Sequence, residues 1–180
     1  MVRTALGLVG SALVAGAPTL VLASPELDPA FGSGMVLQRD RAIPIGGSAR
    51  PDTRVTIVYD AFRTSVRSDA SGRWHATLPP RSAGGPVTLE ASDPSGTTRL
   101  VDILIGDVWL CSGQSNLEFT LRHATNAETE IAGAEISGLR LLAMPRQSSA
   151  VEQVRPASAI TWQRSDPTSA ADFSAACWIM

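Results

Sequence analysis

The chain has 180 residues, a formal net charge of −2 at pH 7 and 18% charged residues. This balance is typical of a folded globular protein, and it excludes a disordered chain and a nucleic-acid binder that relies on bulk positive charge. All 15 basic residues are arginines, and no run of them along the sequence predicts a phosphate- or lipid-binding surface.

Residues 1–23 have the pattern of an export signal. Arg3 gives a positive start, residues 5–22 are apolar, and Val21-Leu-Ala23 is typical of a cleavage site before Ser24. A retained membrane anchor is the alternative, because the apolar stretch nearly reaches spanning length. Glycines and a proline within it weaken a spanning helix. We therefore expect cleavage, a secreted or periplasmic mature protein, and no membrane association afterwards.

Residues 24–105 have the pattern of a small β-sandwich domain. Short alternating runs are separated by turns rich in Pro, Gly, Asp and Ser. The clearest run places Val55, Ile57 and Tyr59 on one face. Trp74 is expected in the core rather than as a platform for a sugar, and His75, on the opposite face of its strand, is expected to be solvated.

From residue 106 to 180 the pattern changes to that of an α/β layer. The apolar run Val108–Cys111 predicts a strand, and a helix is expected from about Leu117 to Ala134, where apolar residues recur at helical spacing. Leu139–Met144 predicts a second strand, buried on both faces as in a parallel sheet. Residues 170–180 predict a second helix. The order strand, helix, strand, helix is that of an incomplete α/β domain.

A small polar turn, Ser112–Asn116, joins the first of these strands to the first helix. A serine at such a corner has an exposed hydroxyl and faces unpaired N–H groups of the helix, which is what a nucleophile and its oxyanion require. The alternative is structural, because Ser and Asn are ordinary helix caps. Leu117 replaces the second glycine of the G-x-S-x-G pattern, which argues against a lipase-type hydrolase.

The amino-acid sequence of this block resembles that of a known family. Asp107-Val-Trp-Leu-Cys-Ser112 followed by Gly113-Gln-Ser-Asn116 is similar to the first block of the SGNH/GDSL hydrolases, and more closely to the sialate O-acetylesterase family. Segments 31–40, 43–45, 71–74 and 83–86 resemble that family's N-terminal β-domain, and 139–141, Trp162 and 173–175 resemble its next strand, loop and helix. Gly46 stands where the family usually has Trp, and Leu117 where it usually has Met.

The resemblance implies a serine esterase of O-acetylated sugars such as sialic acid, or an acetylxylan esterase of the same superfamily. Ser115 would be the nucleophile, and its backbone N–H would contribute to the oxyanion hole. Gln114 and Asn116 would shape the corner. We expect no cofactor, and no metal because no ligand cluster is present; the expected partner is an acetylated sugar and not a nucleic acid.

The base that would activate Ser115 is missing from the pattern. His123 lies about 12 Å from Ser115 along a helix of 1.5 Å rise per residue, and His75 belongs to the β-domain. The family's late Asp-x-x-His block, and the blocks that supply its oxyanion Gly and Asn, match no segment of these 180 residues. Asp107 lies at the wrong end of its strand, and Asp166 and Asp172 are expected to be helix caps.

The chain is therefore expected to be a fragment or truncated product with little esterase activity of its own. A second chain that completes the catalytic domain would be one source of the base. The rival interpretation is a non-enzymatic module that binds glycans or a protein partner. The two cysteines leave two options open: a Cys111–Cys177 disulfide, as in exported proteins, or two buried free thiols.

Overall fold

The computed structural model describes residues 24–145, 148–151, 153 and 160–180. The predicted signal peptide, residues 1–23, lies outside the described residues. The strands are β1 (Glu26–Leu27), β2 (Val36–Gln38), β3 (Ile43–Ser48), β4 (Arg54–Tyr59), β5 (Phe62–Arg67), β6 (Arg73–Leu78), β7 (Gly84–Asp93), β8 (Gly96–Gly106), β9 (Arg140–Leu141) and β10 (Gln163–Arg164). The α-helices are α1 (Ala127–Ala132), α2 (Pro167–Ala171) and α3 (Ala175–Trp178), and Ser115–Glu118 and Leu121–His123 are short 3₁₀ helices.

Residues 24–106 form two sheets. One has three antiparallel strands in the order β1-β3-β6, and the other has five strands in the order β2-β8-β7-β4-β5. All pairings in the second sheet are antiparallel except β2 with β8, which is parallel. Hairpins join β4 to β5 and β7 to β8, whereas the other four pairings in the two sheets join strands that are not consecutive in sequence.

A single hydrophobic cluster is formed by the facing sides of these two sheets. The alternation predicted for β4 is confirmed, because Val55, Ile57 and Tyr59 are each at most 1% exposed. The core position predicted for Trp74 is also confirmed, and His75 is exposed as expected. Period-2 alternation turns the outward residues of these strands to solvent, which leaves a polar face on the five-stranded sheet.

Two glycines allow β3 to approach its neighbours closely. A Cβ at Gly47 would overlap the carbonyl oxygen of Glu26 and lie 2.6 Å from the indole of Trp74. A Cβ at Gly46 would lie 2.8 Å from Asp28 Oδ2 and 2.9 Å from His75 Nδ1. Both positions therefore exclude any larger residue unless the surroundings move.

A second, smaller cluster lies in the C-terminal part of the chain. Its buried members are Leu121, Ala134, Ala170 and Ala175, with Ala124, Ile131 and Trp178 packed against them. The Trp178 indole N–H also donates to Glu130 Oε2 at 3.1 Å. Small alanines dominate this cluster, so the short helices pack closely while burying little apolar area.

The strand and helix expected at the serine corner are replaced by less regular structure. Residues 107–114 form no strand, because no described strand pairs with Val108–Cys111, and a strand needs a neighbour to satisfy its backbone. The single helix expected to Ala134 is broken into two 3₁₀ turns and α1. Phe119 and Thr120 are extended and pair with the C-terminal segment instead, and Asn126 has a left-handed φ of 62°.

The second predicted strand and helix are also shorter than expected. Only Arg140–Leu141 of the predicted strand pairs, and its partner β10 is antiparallel rather than parallel. The predicted C-terminal helix is replaced by α2 and α3, which are separated at Asp172–Ser174. No helix in the described segments has the length and apolarity needed to cross a membrane.

The β9–β10 ribbon is attached to the five-stranded sheet by charge pairs. Asp102 of β8 contacts the guanidinium groups of Arg140 at 3.4 Å and Arg164 at 2.9 Å. The Arg140 side chain is only 4% exposed and also donates to the carbonyls of Ser137 and Leu139. Next to the ribbon, the Trp162 indole N–H donates to the carbonyl of Ala30 at 2.8 Å.

We expect Gly47→Ala to destabilise the protein, because the new methyl group must displace the Glu26 backbone or the Trp74 ring. Overpacking of this kind costs about 1–3 kcal/mol, which would lower the midpoint of urea unfolding. Gly138→Ala is the matched control, because a Cβ there meets no atom within 4 Å. Equal stabilities of the two variants would contradict the packing described for β3.

Candidate active site

The segment that carries Ser115 leaves β8 at Gly106 and is first anchored to the end of β2. Asp107 accepts a hydrogen bond from Arg39 Nε at 2.9 Å. The backbone N–H of Val108 donates to Gln38 Oε1, also at 2.9 Å. The hydrogen bond from Arg39 lowers the pKa of Asp107 from its ordinary value. Asp107 therefore holds the start of the segment; the sequence predicted it at the far end of a strand, but residues 107–114 form no strand.

A disulfide between Cys111 and Cys177 is the second anchor. The two Cα atoms are 6.0 Å apart and the residues are 66 positions apart in sequence. This pairing decides between the two options that the sequence left open for these cysteines. It ties the residues before Ser115 directly to α3, at the C-terminal end of the chain.

Backbone hydrogen bonds provide a third anchor just after the serine. Ala175 donates to the carbonyl of Phe119, and Leu121 donates to the carbonyl of Phe173, both at 2.9 Å. Thr120 and Ser174 form an isolated antiparallel bridge between these bonds. The serine therefore lies on a short span whose two sides are both fixed to the same C-terminal segment.

Ser115 itself is exposed and begins the 3₁₀ helix Ser115–Glu118. The cap position is occupied by Gln114, whose side chain makes no capping hydrogen bond. Ser115 and Asn116 are therefore not the cap residues that the structural alternative required. Within the described part of the chain, no side chain hydrogen bonds to the Ser115 hydroxyl, and Gln114 and Asn116 are exposed beside it.

The helix expected to support the serine is a single 3₁₀ turn of four residues. Ser115 therefore does not face the macrodipole of a long helix. Only nearby backbone N–H groups can donate hydrogen bonds to an oxyanion at this position. No described residue accepts a hydrogen bond from the backbone N–H of Ser115 or Asn116. A Cβ at Gly113 would lie 2.7 Å from Leu117 Cδ1, so a larger residue there would require the Leu117 side chain to move.

Neither histidine is joined to the serine. His123 Nδ1 is 2.9 Å from Thr120 Oγ1, and its ring centroid is 6.0 Å from that of Phe119. His75 lies in β6 opposite Gly46, in the three-stranded sheet. The described residues therefore present a candidate nucleophile without a bound base.

The two other candidate acids have structural roles. Asp166 is the N-cap of α2 and forms a capping box with Ser169, whose backbone N–H lowers the pKa of the Asp166 carboxyl. The capping role predicted for Asp166 is confirmed. Asp172 is also a cap residue, at the C-terminal end of α2 rather than at an N-terminus, and it pairs with Arg122. The short helix α3 instead begins after Ser174.

Residues immediately before the disulfide expose a large apolar surface. Trp109 is 82% exposed and Leu110 is 88% exposed. Large apolar side chains next to each other on a surface are typical of a contact site. The sequence predicted that both side chains are buried in a sheet. The apolar run itself does not show whether flanking strands are present, and none is present in the described structure.

A polar cavity of about 350 Å³ lies beside α2, and Ser115 does not line it. It is lined by Gln163, Arg164, Asp166, Thr168, Ser169 and Asp172.

Among the described residues, no three side chains of the His, Cys, Asp or Glu type lie close enough together to hold a metal ion.

Comparisons with known proteins identify relatives of this chain. No protein-family model matches it. It is 34% identical over 170 residues to the human protein named sialate O-acetylesterase, and 33% identical over 169 residues to the Pongo abelii protein of the same name. Each match covers 83% of this chain and 32% of the relative. The chain therefore spans about a third of the length of these relatives.

A solved structure has a similar fold over most of this chain. The crystal structure of a carbohydrate acetylesterase from Xanthomonas citri matches with a TM-score of 0.82 at 34% sequence identity. The match covers 86% of this chain and 35% of that one. The fold of the described residues is thus similar to part of a known carbohydrate acetylesterase.

Removing the disulfide is expected to destabilise the protein and loosen the serine segment. For a separation of 66 residues, the loop-entropy relation gives roughly 4 kcal/mol for Cys111→Ser/Cys177→Ser. We expect a lower urea midpoint and faster amide exchange in residues 111–121 and 173–178 than in β4. Wild-type protein treated with a reductant is the control and should behave like the double variant. Titratable free thiols in the untreated native protein would contradict the disulfide.

The Arg39–Asp107 pair predicts a pH dependence. The folded-state pKa of Asp107 is lowered, so the pair's contribution is fully present above the unfolded value, about 3.9. It is lost as the pH falls through the lower, folded-state pKa. The difference in unfolding free energy between wild type and Asp107→Asn should therefore be largest near neutral pH and disappear in acid. A difference that does not change with pH would contradict this role.

Proposed function

This chain belongs to the sialate O-acetylesterase family, and on that premise we propose that it carries the nucleophile segment of an exported carbohydrate esterase. The substrate would be an O-acetyl ester on sialic acid or a related sugar. The proposal rests chiefly on one observation: Ser115 is exposed on a span fixed at both sides, with no structural partner of its own among the described residues.

In this chemistry the Ser115 hydroxyl oxygen attacks the carbonyl carbon of the acetyl group, and a base accepts the hydroxyl proton. The sugar hydroxyl leaves with a proton, and the acetyl group stays on the serine as an ester. Water then attacks that ester and releases acetate. The backbone N–H of Ser115, which donates to no described residue, supports a contribution to the oxyanion hole, together with the neighbouring N–H of Asn116.

We interpret the two sheets of residues 24–105 as a β-sandwich domain and residues 106–180 as the beginning of an SGNH-type α/β domain. The exposed Trp109 and Leu110 support the second assignment, because the strand predicted there needs flanking strands to bury it. Further polypeptide of that domain, in the same chain or a second one, would cover this surface and supply the histidine and aspartate.

The disulfide supports export. Disulfides persist in oxidising compartments and are rare in the cytosol, and the apolar start of the sequence is typical of a signal peptide. We therefore place the mature protein outside the cytoplasm, in the periplasm or secreted.

The test combines turnover with active-site labelling. Alone, the 180-residue chain should hydrolyse p-nitrophenyl acetate at a rate close to the uncatalysed one, because the described residues offer Ser115 no base. Addition of the remaining part of a homologous catalytic domain should restore turnover, and Ser115→Ala should abolish the restored activity.

Ser112→Ala is the matched control, because Ser112 is exposed in the same segment and has the same side chain. The Ser112→Ala variant should keep most of the restored activity, and its Ser115 should still be labelled by a fluorophosphonate when the added part of the domain is present. Equal loss in the two variants would show that Ser115 has no special role. Turnover by the chain alone that depends on Ser115 would show that a base is present in these 180 residues.

A further inference from the structure

Four arginines that are scattered in the sequence lie on one face of the five-stranded sheet. They are Arg54 in β4, Arg63 and Arg67 in β5, and Arg99 in β8, and all four are exposed. The strand register places them on the side opposite the hydrophobic cluster, because Val55, Ile57 and Tyr59 point inward. We call this surface the arginine face.

A row of hydroxyl side chains crosses the arginine face. Ser65 is opposite Thr56, Thr56 is opposite Ser92, and Ser92 is opposite Thr97, so the row runs across four strands. At about 4.8 Å between strands its length is about 14 Å. Thr56 Oγ1 and Ser65 Oγ are 3.1 Å apart and share a hydrogen bond. Arginines border the row on both sides.

The charge of this face is poorly balanced. Arg99 pairs with Glu90 at 3.4 Å, and Arg67 donates to the carbonyl of Asp52 in the turn before β4. Arg54 and Arg63 form no ion pair with any described residue. Arg54 and Arg67 are directly opposite each other across two strands, an arrangement that like charges make unfavourable. The face is thus positive on a chain whose net charge is −2.

We propose that the arginine face is a docking surface for a glycan chain that carries carboxylates. Guanidinium groups bind carboxylates through paired hydrogen bonds, and the hydroxyl row offers donors and acceptors to the sugar hydroxyls between them. An open sheet surface about three strand spacings wide fits an extended chain rather than a single sugar in a pocket. The inference goes beyond the proposed esterase and does not require Ser115 to act.

An edge-protection role is the competing explanation. β5 is the outer strand of its sheet, and charged side chains on an edge strand prevent pairing with other chains. That role accounts for Arg63 and Arg67. It does not account for Arg54, which lies on the inner strand β4, nor for the hydroxyl row that continues across β4 and β7.

The test measures binding of polysialic acid to the full chain by titration calorimetry, with neutral dextran of similar length as the comparison glycan. We expect binding of polysialic acid and none of dextran, with affinity that falls as salt is raised. Arg54→Ser/Arg63→Ser should weaken binding at least tenfold and leave the thermal melting curve unchanged, because both side chains are exposed and form no ion pair with a described residue.

The matched control is Arg41→Ser/Arg50→Ser, which makes the same charge change at exposed positions that are not among the four arginines of the face and that form no ion pair with a described residue. It should bind polysialic acid within about twofold of wild type. Equal weakening by both double variants would overturn the proposal, because net charge alone would then explain binding. Equal affinity for a single-stranded DNA oligonucleotide of matched charge, or no binding of polysialic acid at all, would also overturn it.

Discussion

The covalent link between Cys111 and Cys177 is the constraint on which the serine segment depends. From Trp109 to Gly113 the chain makes no backbone–backbone hydrogen bond to a described residue, so its path is set by what lies at its two sides. The disulfide fixes one side, and the backbone pairing of Thr120 with Ser174 fixes the other. Loops that carry functional side chains are commonly positioned in this way by more rigid surroundings.

The C-terminal segment therefore has a role in shaping the site, although it contributes no reactive group to it. α3 has only four residues and would not be stable alone. It is held by the small alanine cluster, by the Trp178–Glu130 hydrogen bond and by the same disulfide. The serine segment and the C-terminal segment thus order each other, and neither has a large apolar core beneath it.

The sequence predicted the β-rich half better than the half with the serine. Alternation in β4 and the burial of Trp74 depend on local pattern and on one packed face, and both are confirmed. The strand at Val108–Cys111 needs partners from elsewhere, and no local pattern shows whether those partners exist. The helix after Leu117 fails for a related reason, since pairing of Phe119 and Thr120 with the C-terminal segment replaces the helical hydrogen bonds. The arginine face was missed because it depends on the register of three strand pairs.

Gly46 has a consequence for which residues its position can accept. The space above Gly46 is occupied by Asp28 and His75, and Asp28 pairs with Arg73 at 2.8 Å. A large side chain at position 46, such as an indole, would need the space that this charge pair occupies. A larger residue at position 46 would therefore be accommodated only together with a change at Asp28 or His75. The small size of this glycine is thus coupled to the charge pair that lies next to it.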